Sequence, residues 1–139
     1  MAEPIITRAM LGRVSRLTQP RHLPAPARRW TGAEWVLIRR GHRSRSEHHR
    51  WNAVVEKGRL HLVRRGSGAT IYEAQFAPSG ESWVVTELVM CADEEVHRVD
   101  RPEVHALHVE ALVDLLLLGD PDSRAIRELR ESPAATVPA

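Results

Sequence analysis

The sequence predicts an α+β domain: an antiparallel β-meander of about five strands, then one long C-terminal helix packed on the sheet, then a short second helix. Three observations predict it. From Arg50 to Cys91 apolar and polar residues alternate with the period of a half-buried strand. Turn formers interrupt that stretch at Lys57-Gly58, Gly66-Ser67-Gly68 and Pro78-Ser79-Gly80. From Glu103 to Leu118 the pattern changes to an almost unbroken apolar run with helical punctuation at both ends.

Residues 1–29 read as a basic, proline-punctuated arm. Ile6, Met10, Val14 and Leu17 recur at helical spacing, so Thr7 to Leu17 is expected to form a short amphipathic helix. Pro20, Pro24 and Pro26 then enforce an extended path carrying Arg21, His22, Arg28 and Arg29. A single domain is expected over residues 30–131, and residues 132–139 form an alanine-proline tail expected to be disordered. Thr31-Gly32 is turn-like, and Trp35 to Ile38 reads as a strand. The loop from Gly41 to Arg50 alternates Arg43, Arg45 and Arg50 with histidine and serine, opposed only by Glu47.

In the meander, Trp51, Ala53 and Val55 share one face of the first strand, and Leu60 and Leu62 one face of the second. Trp83 to Cys91 is apolar on both faces, which places it centrally or against another subunit. Val96 to Val99 reads as a short last strand. Asp100 is the expected N-cap of the long helix, with Pro102 at its first position. At 100° per residue, Glu103, Glu110 and Asp114 fall in one narrow wedge, and nearly everything else is apolar. One sheet face covers only part of such a helix, so Val109, Leu116 and Leu117 are expected to meet a partner helix or subunit. Leu117, beside the acidic wedge, needs one most. His105 and His108, three residues apart on the apolar face, are placed to share a metal or a proton, or to be core histidines bonded to a carbonyl or carboxylate. Gly119 ends this helix, and Arg124 to Arg130 is amphipathic through Ile126 and Leu129.

Composition narrows the function. The net charge of +2 conceals a strong polarity: residues 1–65 hold fifteen Lys or Arg against four Asp or Glu, and residues 66–139 hold five against fourteen. A chain so polarised points to a polyanion for its first half, or to an acidic protein surface. Nineteen of the twenty cationic residues are arginine, whose planar fork grips phosphate bidentately. Aromatic residues make up only 4%, so stacking platforms for bases are scarce.

Cys91 is the only cysteine, which excludes an internal disulfide and a CxxC zinc site. His42, His48 and His49 lack metal-ligand spacing, so no metal or cofactor is expected. Gly66-Ser67-Gly68 is a turn and not a phosphate loop, since no Gly-Lys-Ser/Thr follows. No stretch of about 18 apolar residues is present, so no membrane span is expected. A cytoplasmic location is expected, with a basic organellar presequence over residues 1–30 as the competing reading.

These features favour a non-catalytic nucleic-acid-binding module over an enzyme. Binding is expected to be phosphate-led and weakly sequence-specific, with single-stranded DNA or RNA favoured because a strand meander followed by a helix occurs among single-strand binders. The expected contacts are Arg28, Arg29, Arg39, Arg40, Arg43, Arg45, Arg50, Arg59 and Arg65, with His61 continuing the positive surface. The alternative is a structural assembly subunit of a larger homo- or hetero-oligomeric particle, interlocking through its basic arm and its acidic, apolar C-terminal half, and a homo-oligomer is expected from the charge polarity.

Overall fold

A computed structural model of the chain describes residues 5–45, 50–96 and 102–131, the first two of the last segment by backbone alone. The architecture is α+β, with an antiparallel sheet of six strands and three α-helices. Strands β3 (Trp51–Glu56), β4 (Arg59–Arg64), β5 (Thr70–Ser79) and β6 (Ser82–Cys91) form the meander. Its first hairpin turns on Lys57 and Gly58, both with positive φ (52° and 76°), the backbone that a two-residue hairpin needs.

The far edge of β6 is filled by the chain's beginning. Strand β1 (Pro20–Leu23) pairs with Leu88 to Cys91, and β2 (Arg29–Thr31) pairs with Ser82 to Val84. This makes β6 central, as its two apolar faces imply. It also corrects the picture of residues 1–29 as an arm, because residues 5–31 are built into the domain. The helix expected over Thr7 to Leu17 is a single 3-10 turn, Arg8–Leu11, closed by Gly12 at φ 72°. Beyond it the chain runs as a strap over the second face of the sheet. Ser15 bridges to the Ala69 strand start, and Leu17 packs on Val89 and Cys91. At Gly68 a Cβ would run into the Arg13 carbonyl, so the strap seats on a turn that only glycine fits.

The expected strand at Trp35 to Ile38 is instead helix α1 (Gly32–Ile38). The Thr31 hydroxyl accepts from the Glu34 amide at 3.0 Å, and the Glu34 carboxylate accepts from the Thr31 amide at 2.9 Å. This capping box offsets the β-preference of the apolar run. Trp35 and Ile38, one turn apart, are the buried pair.

Helix α2 spans Pro102–Leu112 and continues as a π-helical turn, Val113–Leu117, in which the Leu118 amide reaches the Val113 carbonyl. The last helix, α3 (Arg124–Glu131), has eight residues. Sheet, α1 and α2 share the main core, which includes Trp30, Trp51, Leu62, Tyr72, Phe76, Leu88, Met90 and Leu112. The other side of α2 is covered by α3: Ala111 packs with Ala125, Ile126 and Leu129. A helix apolar around most of its circumference is thus sandwiched within one chain. Val109 and Leu117 are buried at 1% and 7% exposure, and Leu116 packs against the same core. This corrects the expectation that they wait for a second subunit. The π turn contributes by shifting the register, so Asp114 lies fully buried instead of in an exposed acidic wedge.

Val96 lies in a turn. The remainder of the expected strand at Val96 to Val99, the Asp100 cap, His48, His49 and the tail at 132–139 lie outside the described residues. Among the described residues no helix is long and apolar enough to cross a membrane.

Candidate functional site

The structure sorts the expected arginines into three groups. The first is structural. Arg28 donates to Asp114 Oδ2 at 2.5 Å, lies 3.6 Å from Glu34 and 3.9 Å from Glu110, and sits over the Trp30 ring. Burial pushes the Asp114 carboxyl above its ordinary range, opposed by the Ser123 hydroxyl and the Arg28 charge. Glu110 is shifted the same way by burial, again opposed by Arg28.

Arg59 is equally engaged, donating to Glu73 at 2.6 Å and Glu87 at 2.7 Å. His61 lies 3.6 Å from both Glu56 and Glu73, and Arg8 of the strap closes on Glu56 at 2.6 Å. Cross-strand register places Arg59 beside Gln75 and His61 beside Glu73. Carboxylates from β3, β5 and β6 therefore neutralise this face, which corrects its reading as an extension of the basic surface. Arg29 stands alone as a second group. It bonds to Ser79 at the β5–β6 hairpin, away from the loop arginines.

The third group converges. Residues 42–45 run beside the free edge of β3, held by the reciprocal His42–Ala53 backbone bonds and by Asn52 Oδ1 accepting from the Ser44 amide at 2.6 Å. The Arg65 guanidinium donates to Ser44 Oγ at 3.2 Å, and its amide donates to the Arg50 carbonyl. Arg43, Arg45, Arg50 and Arg65, all exposed, are thus gathered at the end of the sheet where β3 begins and β4 ends. Arg39 and Arg40 lead into the same segment. Among the described residues none of these six is paired with a carboxylate.

Behind this end lies a cluster that sequence reasoning did not assemble. Arg64 sits over the Trp51 ring at 4.9 Å, and Trp51 stacks on Tyr72 and meets His108 edge-on. The buried Tyr72 hydroxyl lies 2.7 Å from His105 Nδ1 and 3.1 Å from His108 Nδ1. Burial raises the Tyr72 pKa far above its ordinary value, with the Arg64 charge opposing, so the phenol stays neutral. The only signal in the sequence was the three-residue spacing of the histidines. Their tyrosine lies more than thirty positions away, and nothing local announces it. Among the described residues no group of three or more His, Cys, Asp or Glu is placed to hold a metal ion.

Compared with known protein families, curated proteins and solved structures, the chain matches none. A functional reading therefore rests on the site itself.

Proposed function

We propose that this protein binds nucleic acid through the basic end of its sheet, using Arg43, Arg45, Arg50 and Arg65, with Arg39 and Arg40 extending the contact. The observation that carries the reading is the contrast within one chain. Arg8, Arg28, Arg59 and Arg124 are neutralised by carboxylates, whereas Arg43, Arg45, Arg50 and Arg65 converge without one among the described residues. An arginine cluster held by backbone pairing loses little freedom on gripping phosphate.

Trp30, Trp35, Trp51 and Tyr72 are buried, so base stacking adds little and the contact is phosphate-led and weakly sequence-specific. For the assembly alternative, the segment at Pro20–Leu23 pairs with β6 and the apolar helix packs on α3 within one chain, so only the charge polarity still speaks for it.

The test is fluorescence anisotropy with labelled single-stranded RNA and DNA. Alanine at Arg43, Arg45, Arg50 and Arg65 together should weaken binding by 100-fold or more, on the order of 1 kcal/mol per phosphate contact. Arg124→Ala, on the exposed face of α3, should leave it unchanged. Equal binding by the quadruple variant would refute the assignment.

A further inference from the structure

At the basic end of the sheet each backbone segment is tied to its neighbour close to its tip. The loop and β3 exchange bonds between His42 and Ala53, and the Arg65 amide reaches the Arg50 carbonyl between β4 and β3. The Arg64 amide donates to the Ala69 carbonyl at 2.8 Å, which ties β4 to the approach to β5. Beyond that, Ser15 of the strap takes the place a further strand would fill. Its amide donates to the Gly68 carbonyl at 2.7 Å, and its carbonyl accepts from the Thr70 amide at 3.3 Å and the Thr70 hydroxyl at 2.8 Å. Successive residues of an extended chain aim their backbone groups to opposite sides, so Ala69 faces β4 while Gly68 and Thr70 face Ser15. Segment 42–45, the start of β3, the end of β4, segment 68–70 and Ser15 therefore lie side by side. With neighbouring strands about 4.8 Å apart, the row is about 19 Å wide.

Exposed arginines run along the whole row. Arg43 and Arg45 stand at one side, Arg50 and Arg65 in the middle, and Arg13 and Arg16, which bracket Ser15, at the other. Among the described residues neither Arg13 nor Arg16 is paired with a carboxylate. The strap is held there closely, since the Arg13 carbonyl fills the space that a Cβ at position 68 would need. Past the strap the charge changes sign. The Thr18 hydroxyl donates to Asp93 at 3.5 Å, and Asp93 leads into a turn at Glu94 and Glu95.

We propose that a single nucleic-acid strand lies across the strand tips, its phosphates running from Arg43 and Arg45 past Arg50 and Arg65 to Arg13 and Arg16. The acidic turn at Asp93 to Glu95 ends the contact by repelling further phosphates. The inference rests on the phosphate-led reading above and extends it to a path and to two residues of the strap. The row is one line of cations, which one flexible backbone can follow along its length. A duplex holds its two phosphate rows apart by grooves about 12 Å and about 6 Å wide, so such a line meets only one of them.

The experiment titrates labelled oligouridylates of about 4 to about 16 nucleotides, the range of single-strand site sizes, by anisotropy at several salt concentrations. Wild type is compared with Arg13→Ala with Arg16→Ala and with Arg43→Ala with Arg45→Ala. The backbone amides of the wild-type chain are followed by NMR in the same titration. Affinity should rise with length and level off once the row is spanned. On the longest oligomer the strap pair should weaken binding about 10-fold or more and shallow the slope of log K against log salt by about 1.4, as much as the loop pair. Both pairs should lose much less on the shortest oligomer, which the remaining half of the row still holds. Amides of Arg13, Ser15 and Arg16 should shift with those of Arg43, Arg45 and Arg65, and those of Ser82 to Val84, at the opposite end of the sheet, should not. This reading uses the unaltered chain, so it stands even if the strap variant fails to fold. Shifts confined to the loop, or a folded strap variant that binds as wild type does at every salt concentration, would overturn the path and leave the binding reading standing. No binding by wild type would overturn both. A duplex of equal length bound as tightly would overturn the single strand as occupant.

Discussion

Asp114 and Arg28 show how much one residue's surroundings decide. The Asp114 side chain is wholly buried, and Arg28 supplies its short charged hydrogen bond. Breaking a buried pair from one side leaves an uncompensated charge. Arg28→Met should therefore cost about 3 kcal/mol in urea unfolding, while Arg28→Met with Asp114→Asn should recover much of that loss. Gly68 makes a second case. Its φ of 73° is unfavourable for any other residue, and a Cβ there meets the Arg13 carbonyl, whereas Gly66, at φ 91°, has open space around it. Gly68→Ala should destabilise by about 1–3 kcal/mol and by clearly more than Gly66→Ala, as judged by melting temperature. His61 gives a pH signature. Burial holds its folded pKa below the ordinary value of 6.5, with Glu73 opposing. The unfolded chain then binds that proton more tightly, so the stability His61 contributes is present above pH 6.5 and is lost as pH falls through that value toward the depressed one. Urea midpoints measured across this range should fall on acidification, and His61→Gln should flatten the slope.

The meander from Trp51 to Cys91 was legible because alternation and glycine turns are local signals that burial then rewards. Helix α1 was not read, although its capping box stood in the sequence as Thr31 and Glu34. The run Trp35 to Ile38 suits either structure at that length, and the cap decides. Thr31→Ala should cost about 1 kcal/mol, seen as a loss of protection in amide exchange confined first to α1. The apolar circumference of α2 was read correctly, but its cover was sought in another subunit. Its cover is α3, eight residues whose Ile126 and Leu129 look too few for the task until Ala111 presents a flat surface to them. The π turn at Val113–Leu117 was invisible because a fixed angle per residue assumes an unbroken helix.

At the scale of the whole molecule, the charge polarity of the sequence is redistributed by the fold. Part of the basic half is taken up within the fold, Arg8 pairing with Glu56 of the sheet at the surface and Arg28 with the buried Asp114 of the acidic half. Arg43, Arg45, Arg50 and Arg65 are gathered at one end of the sheet. Of the nine arginines expected to contact nucleic acid, the grouping of Arg43, Arg45 and Arg50 was legible because they lie close together in the chain. Arg28 and Arg59 were misjudged because their carboxylates arrive from distant segments. The strap likewise belongs to the domain, pairing with β6 and covering Val89 and Cys91. Deleting residues 1–29 should therefore abolish cooperative thermal unfolding by exposing the edge of a central strand, where a detachable arm would leave it intact.

The most direct test of the central claim is the salt dependence of binding to single-stranded RNA, measured by anisotropy for wild type and for Arg43→Ala with Arg45→Ala. Phosphate-led binding predicts that log K falls linearly with log salt, and that removing two arginines shallows the slope by about 0.7 per lost contact. A slope that is flat for wild type, or identical in the double variant, would contradict the assignment of the basic end as the nucleic-acid interface.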